Sequence, residues 1–182
     1  MGFLTYSTIT SELVVPNKYM AYGFASYFLK QTAGFSTFCM GNLRAREIAK
    51  ALTNGDIRPL FDCILSRLKK DTETKVNQYP DDFLIRTALR AAIYLNTDYR
   101  WTDLGTSGFG LLPVAGNAPA YAVGLTTINA EEQAADAVAQ KLAAAETELK
   151  QAAELHPLNT DAHVIRVTVV FADFKVATMR ID

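Results

Sequence analysis

Charged residues are scarce in this chain. Only 20% of the 182 residues are Asp, Glu, Lys or Arg, whereas about a quarter is usual in soluble domains. A soluble monomer normally keeps more charge on its surface, so the shortage indicates that part of the surface is buried against other subunits. The 18 basic and 19 acidic side chains nearly cancel, which excludes a chain-wide attraction to nucleic acid or to anionic membranes.

Cysteine and histidine are also few. Cys39 and Cys63 both lie in apolar runs, which favours buried free thiols over a disulfide. The chain has no CxxC or HExxH spacing, and His156 and His163 are its only histidines, so we expect no metal and no cofactor. The first residues show no secretory signal pattern, and we therefore expect a protein made and used in a cytoplasm.

The longest uncharged stretch runs from residue 104 to residue 130 and is interrupted by five glycines and two prolines. A membrane helix would not carry so many helix breakers, so the stretch is interpreted as loop and strand. Its segment 105–110 is rich in glycine but lacks the Gly-Lys-Ser/Thr ending of a phosphate-binding loop. We expect these glycines to form a flexible linker.

Helical periodicity and capping signals predict five helices. They are expected over residues 18–30, from Asn42 to Asn54, from near Pro59, from Pro80, and over residues 129–156. The last helix carries an alanine-rich heptad pattern, for which packing inside the domain is favoured over an intermolecular coiled coil. Its pattern residues are Ala135, Val138, Leu142, Ala145, Leu149 and Ala152.

The last twenty residues change to a period of two, which predicts strands at 163–171 and 174–181. Because this hairpin is so apolar, it must pack against another strand or against a neighbouring subunit. The candidate self-assembly residues are Ile165, Val167, Val169, Phe171, Val176 and Met179. The predicted fold is therefore one α+β domain, mainly helical, with about five helices and a small antiparallel sheet that includes this C-terminal hairpin.

Charge is unevenly distributed along this domain. Residues 41–100 hold eleven basic side chains against eight acidic ones, and residues 101–161 hold two against eight. The predicted organisation is a basic, mostly helical half (1–100), a Gly/Pro-rich loop and strand (101–128), the long helix (129–156) and the hairpin (163–182). Opposite charges on two halves suit contact between copies, although a simply solvated basic surface would have the same composition.

A few residues could bind an anion. Arg86, Arg90 and Arg100 are candidates for nucleic-acid or anion contact, and Trp101 and Asp103 follow closely in the chain. Arg and Trp side by side can hold an anionic or aromatic ligand. The paired carboxylates of the chain stand at predicted helix N-termini, where capping and the helix dipole account for them.

The order of short motifs resembles the coat proteins of rod-shaped plant viruses of the tobacco mosaic type. The matching pieces are residues 5–10 (TYSTIT), 78–83 (QYPDDF), 96–100 (NTDYR) and a long helix at 130–155 that starts near Ala135-Asp136-Ala137. The resemblance implies a self-assembling coat subunit in which arginines after the Pro-Asp helix contact RNA. Only Arg100 matches such a position, and Glu131-Glu132 stand where that family places paired arginines.

The function expected from the sequence is that of a non-enzymatic structural subunit of a self-assembling particle. A virion or phage component such as a coat, cement, neck or tail protein fits best, with other copies or structural subunits as partners and no membrane. Nucleic acid is the weaker candidate partner. The alternative is a small anionic-ligand-binding domain or enzyme with its site near Arg86, Arg90, Arg100 and Trp101.

Overall fold

The computed structural model describes residues 5–7, 12–14, 42–72, 82–105, 108–114, 116–128, 135–155, 158 and 160–182. The chain divides into two units, Met1–Cys39 and Met40–Asp182. In the first unit, strand β1 (Thr5–Ser7) pairs antiparallel with strand β2 (Glu12–Val14). The helix expected at 18–30 and the thiol of Cys39 lie outside the described residues.

The second unit contains a five-stranded sheet in the order β3-β4-β5-β6-β7. All neighbours in this sheet are antiparallel except β5 and β6, which are parallel. The strands are β3 (Tyr99–Leu104), β4 (Gly108–Pro113), β5 (Ala120–Ile128), β6 (Val164–Ala172) and β7 (Lys175–Ile181). The helices are α1 (Asn42–Thr53), α2 (Arg58–Thr72), α3 (Asp82–Asn96) and α4 (Ala135–Leu155).

The predicted fold class is wrong. Instead of about five helices with a small antiparallel sheet, the described residues of the second unit form four helices and a five-stranded mixed sheet. The error lies in the glycine-rich stretch, where β4 is a buried strand rather than a flexible linker. A Cβ atom at Gly110 would lie 2.5 Å from Leu158 Cδ2 and 2.7 Å from Thr102 Cγ2. Glycine is needed there for close packing within a sheet.

The parallel pair at the centre of the sheet is connected by α4, as a parallel pair requires a crossover. A Cβ atom at Gly124 in β5 would lie 3.1 Å from Leu149 Cβ and 3.2 Å from the Ala145 carbonyl oxygen. Helix α4 therefore rests directly on β5. Ala145 and Leu149 of the heptad pattern are buried in this contact, so these two residues pack inside the unit.

Helices α1 and α2 cover the opposite face of the sheet. Tyr121 of β5 donates a hydrogen bond to the Leu52 carbonyl oxygen of α1 at 2.5 Å. Phe61 of α2 meets Phe171 of β6 edge to face, with ring centroids 5.5 Å apart and an interplanar angle of 77°. Because side chains alternate along a strand, α4 packs on one face of the sheet and α1 and α2 on the other.

Two features at chain reversals follow from local conformation. Gly55 ends α1 with a φ of +86°, the left-handed backbone that glycine adopts without steric cost after a helix. Asp173 has a φ of +54° in the turn between β6 and β7. Aspartate is one of the few other residues that tolerate this region, which explains a tight hairpin turn without glycine.

Candidate functional site

Helix α3 and strand β3 bring two arginines, a tryptophan and a carboxylate together. Arg86 Nη2 lies 3.5 Å from Asp103 Oδ1, and Arg90 Nη1 lies 3.7 Å from Asp103 Oδ2. Trp101 Nε1 donates a hydrogen bond to Asp103 Oδ1 at 2.9 Å. Residues four apart share a helix face and residues two apart share a strand face, so both pairs point to the same place. We call Arg86, Arg90, Trp101 and Asp103 the arginine cluster.

The members of the arginine cluster differ in how firmly they are held. Arg86 Nη2 also donates to the Gly108 carbonyl oxygen at 2.9 Å, and its side chain is 18% exposed. The side chains of Arg90 and Asp103 are 63% and 56% exposed. The Trp101 indole stacks on buried Phe109, with centroids 3.9 Å apart and an interplanar angle of 10°. Arg86 and Trp101 are therefore fixed by strand β4, while Arg90 and Asp103 face solvent.

The arginine cluster has the chemistry of an anion-binding surface. Its two guanidinium groups lie beside one carboxylate, that of Asp103. Exposed ion pairs such as Arg90 with Asp103 contribute little to stability, so a ligand anion can replace the carboxylate at small cost. Arg forms paired hydrogen bonds with carboxylates and phosphates, and the Trp101 indole adds an aromatic surface beside it.

Arg100, the third arginine expected at this site, lies elsewhere. It sits between Tyr99 and Trp101 in β3 and pairs with Leu112, so its side chain is on the face of the sheet opposite to Trp101 and Asp103. Four of the five residues named for a ligand site are thus brought together and one is not. The sequence reasoning missed Phe109, whose signal was the alternation of Phe109 and Leu111 inside the stretch interpreted as a linker.

The uneven charge of the sequence becomes a difference between the helices that cover the two faces of the sheet. Exposed basic side chains dominate α1 and α2, on one face: Arg44, Arg46, Lys50, Arg58 and Lys69, against Glu47, Asp56 and Asp62. Helix α4 on the other face carries four acidic residues against two lysines: Asp136, Glu146, Glu148 and Glu154, against Lys141 and Lys150. The exposed arginines of the strands on that side, Arg100, Arg166 and Arg180, lie outside α4. We call the outer surface of α1 and α2 the basic face and the outer surface of α4 the acidic face.

One acidic-face carboxylate is held by cations of its own unit. Glu146 Oε1 lies 3.1 Å from Lys150 Nζ, and Glu146 Oε2 lies 2.6 Å from Arg180 Nη1. The hydrogen bond from Lys150, with help from Arg180, lowers the pKa of the Glu146 carboxyl. Asp136, Glu148 and Glu154 are exposed on the same helix, and another molecule could reach their carboxylates.

The structure also places the six residues named as self-assembly candidates. Val167, Val169 and Phe171 are buried in the core of the second unit. Ile165, Val176 and Met179 are partly buried. Helix α2 of the same chain therefore covers part of the apolar side of β6, as the contact of Phe61 with Phe171 shows. Val167, Val169 and Phe171 therefore expose almost no surface that another copy could contact.

Within the described ranges, no helix is long and apolar enough to cross a membrane. No group of three or more His, Cys, Asp or Glu side chains that could hold a metal ion occurs in the same part of the chain. Cys63 is a buried free thiol whose pKa is raised by burial, as the apolar sequence around it predicts. A scan against models of known protein families finds no match, and no curated protein matches the chain.

Proposed function

We propose that this protein is a structural subunit of a self-assembling particle, in which the basic face of one copy meets the acidic face of the next. The observation that carries the proposal is the placement of the basic helices and the acidic helix on opposite faces of one sheet. Opposite charge on two sides of a molecule favours head-to-tail contact between its copies. Such contacts form rings when the rotation closes and open stacks when it does not.

Three further observations support an assembly. The charge content is low for a soluble monomer. Large apolar side chains stand exposed on α3 and at the end of α4, including Phe83 and Leu155. The motif order resembles that of rod-virus coat proteins. On these grounds we propose a virion or phage structure as the kind of particle, with other copies of the chain as the main partners.

Charge reversal on each face provides the test. One variant, Arg46→Glu with Lys50→Glu, makes the basic face acidic, and the other, Glu148→Lys with Glu154→Lys, makes the acidic face basic. We expect each variant alone to remain monomeric, since both of its faces then carry the same sign. An equimolar mixture should assemble again, because each face now meets its opposite on the other variant. Light scattering at low salt measures the particle mass.

The controls separate charge matching from general damage. Asp161→Lys reverses an exposed charge in the loop before β6 and should leave assembly unchanged. Assembly of the unmodified protein should weaken as salt is raised from about 0.05 M to about 0.5 M, since screening shortens the range of the attraction. A monodisperse monomer at high protein concentration and low salt would contradict the proposal.

A second candidate function is the binding of a small anionic ligand with a flat ring, such as a nucleotide, at the arginine cluster. The observation that favours it is that Arg86, Arg90, Trp101 and Asp103 meet although they come from two elements. A phosphate would pair with Arg90, and the base would lie against the Trp101 indole.

The single tryptophan of the chain makes this candidate directly measurable. Titration with adenosine monophosphate should quench Trp101 fluorescence, and Arg90→Ala should weaken binding about tenfold, the typical loss for one charge-assisted contact. Arg100→Ala is the matched control, because Arg100 lies on the other face of the same strand, and it should bind as the unmodified protein does. Equal losses in both variants would show general charge attraction and no site.

A further inference from the structure

The two outer strands of the sheet run in opposite directions. Starting from β3, the pairings give β4 antiparallel, β5 parallel to β3, β6 parallel to β5, and β7 antiparallel to β6. A second copy placed beside the first in the same orientation would therefore bring its β7 antiparallel to β3. The sheet could continue from copy to copy with α4 always on the same side.

The backbone hydrogen bonds show which residues of β3 and β7 face the outer edges of the sheet, where no further strand of the described residues pairs. Asp182 and Arg166 exchange both of their backbone hydrogen bonds, each at 2.9 Å, so along the regular part of β7 the groups of Ile181 and Met179 point away from β6. At the other edge, the Asp98 carbonyl oxygen accepts from the Val114 N–H at 2.9 Å. By the same alternation, the backbone groups of Tyr99, Trp101 and Asp103 in β3 point away from β4.

We propose that β3 of one copy pairs antiparallel with β7 of the next, with Trp101 opposite Ile181 and Asp103 opposite Met179. These are hydrogen-bonded pairs, because all four residues direct their backbone groups outward. Thr102 then stands opposite Arg180, and Arg100 stands opposite Asp182 with the side chains on the α4 side. The inference rests on the proposed self-assembly and names a lateral contact for it.

The charged side chains favour this register over registers shifted by one or two residues. Cross-strand pairs of opposite charge are favourable and like charges directly opposite are unfavourable. In the chosen register Arg100 meets Asp182, whereas a shift by two residues in one direction places Arg100 opposite Arg180. The shift in the other direction moves Arg100 beyond Asp182 and loses the ion pair. A shift by one residue would place residues of β3 whose backbone groups point outward opposite residues of β7 whose groups point toward β6. The hydrogen bonds between the copies would then be lost.

The apolar side chains and the strand lengths agree with the same register. Ile181 is 43% exposed and would be covered by Trp101 of the neighbouring copy, on the side of the arginine cluster. The register shift between Val170 and Phe171 marks a bulge in the pairing of β6 with β7. It limits the regular part of β7 to Thr178–Ile181, and β3 is six residues long, which is enough to match it.

Engineered disulfides test the register. Thr102 and Arg180 of the next copy form a non-hydrogen-bonded pair, in which Cβ atoms come close enough for a disulfide. Within one copy they lie on the two outer strands, about 19 Å apart at the usual strand spacing, so only an intermolecular bond can form. The test protein carries Thr102→Cys and Arg180→Cys with Cys39→Ser. The matched control carries Thr102→Cys, Thr178→Cys and Arg180→Ser with Cys39→Ser, so that both proteins lack the Arg180 charge and its contact with Glu146. Both are oxidised with glutathione disulfide under assembling conditions.

We expect the Thr102/Arg180 protein to form ladders of cross-linked oligomers on a denaturing gel, with about five-fold more cross-linked chain than the Thr102/Thr178 protein, whose cysteines belong to a shifted register. Equal cross-linking of the two proteins would overturn the register. No cross-linking in a sample that light scattering shows to be assembled would overturn the edge pairing and leave the charge-matched assembly standing. A sample that stays monomeric in both measurements would overturn both.

Discussion

Replacement of Phe61 by alanine is expected to lower the free energy of unfolding of the second unit by about 4 kcal/mol, the usual range for a buried phenylalanine. Phe61 is completely buried between α2 and the sheet. Its ring contacts Phe171 edge to face, a geometry that adds to the gain from burial. Truncation therefore removes apolar contacts, leaves a cavity and takes away the partner of Phe171. Urea unfolding followed by circular dichroism measures the change.

Phe83→Ala is the matched control for this prediction. Phe83 is the same residue type in a neighbouring helix, but it is 72% exposed, so its truncation should change the free energy of unfolding by no more than about 0.5 kcal/mol. If the two variants lost similar stability, α2 would not be packed on β6 as described. A large loss in Phe83→Ala alone would instead place that side chain in an interface.

Alkaline pH is expected to destabilise the second unit through two buried tyrosines. Burial raises the pKa of Tyr99 from its ordinary value of 10.0 to about 12, and burial likewise raises the pKa of Tyr121. Both hydroxyls donate to the Leu52 carbonyl oxygen, Tyr121 at 2.5 Å and Tyr99 at 3.2 Å. Tyr99 also reaches the Pro119 carbonyl oxygen at 3.1 Å.

The direction of this pH dependence follows from which state, folded or unfolded, loses the tyrosine protons first. Below pH 10 both tyrosines are neutral in the folded and the unfolded chain, so the stabilisation is fully present. As the pH rises through 10 the unfolded chain loses its protons while the folded one keeps them. Each tyrosine then lowers the free energy of unfolding by about 1 kcal/mol between pH 10 and pH 11, and the slope rises toward about 1.4 kcal/mol per pH unit above that. For Tyr99 this loss continues until its folded pKa of about 12.

The double variant Tyr99→Phe with Tyr121→Phe isolates this contribution. It should be less stable than the unmodified protein at pH 8, by about 1 to 2 kcal/mol for the lost hydrogen bonds. Between pH 10 and pH 11 its stability should fall about 2 kcal/mol less than that of the unmodified protein. Phe83→Ala, which removes no titratable group from an exposed position, should keep the original slope. An unchanged slope in the double variant would contradict the assignment.

The sequence predicts the described helices well because their ends carry strong local signals. The helix expected from Asn42 to Asn54 is α1, and the helix expected near Pro59 is α2. The glycine-rich stretch could not be predicted in the same way, because its glycines are required by the close approach of side chains that are distant in sequence. Only the approach of Leu158 to Gly110 and of Leu149 to Gly124 shows why no larger residue fits.

The candidate sites show the same division between local and distant information. Arg86, Arg90, Trp101 and Asp103 could be named together because α3 and β3 are consecutive in the chain and pack on each other. Arg100 could not be excluded without knowing that β3 is a strand with alternating faces. Val167, Val169 and Phe171 were correctly placed on one face of a strand, but the helices that cover them lie about a hundred residues earlier.

The parallel pairing of β5 with β6 has a consequence for how the second unit folds. The two strands are side by side, yet residues 129–163 lie between them in the chain. Pairs β3/β4, β4/β5 and β6/β7 close short loops and can form early, whereas the central pair must wait for the crossover to be ordered. We expect that until then the chain forms two smaller sheets, β3-β4-β5 and β6-β7, whose unpaired strands β5 and β6 are exposed. A growing chain becomes protected from wrong association only when β6 reaches β5.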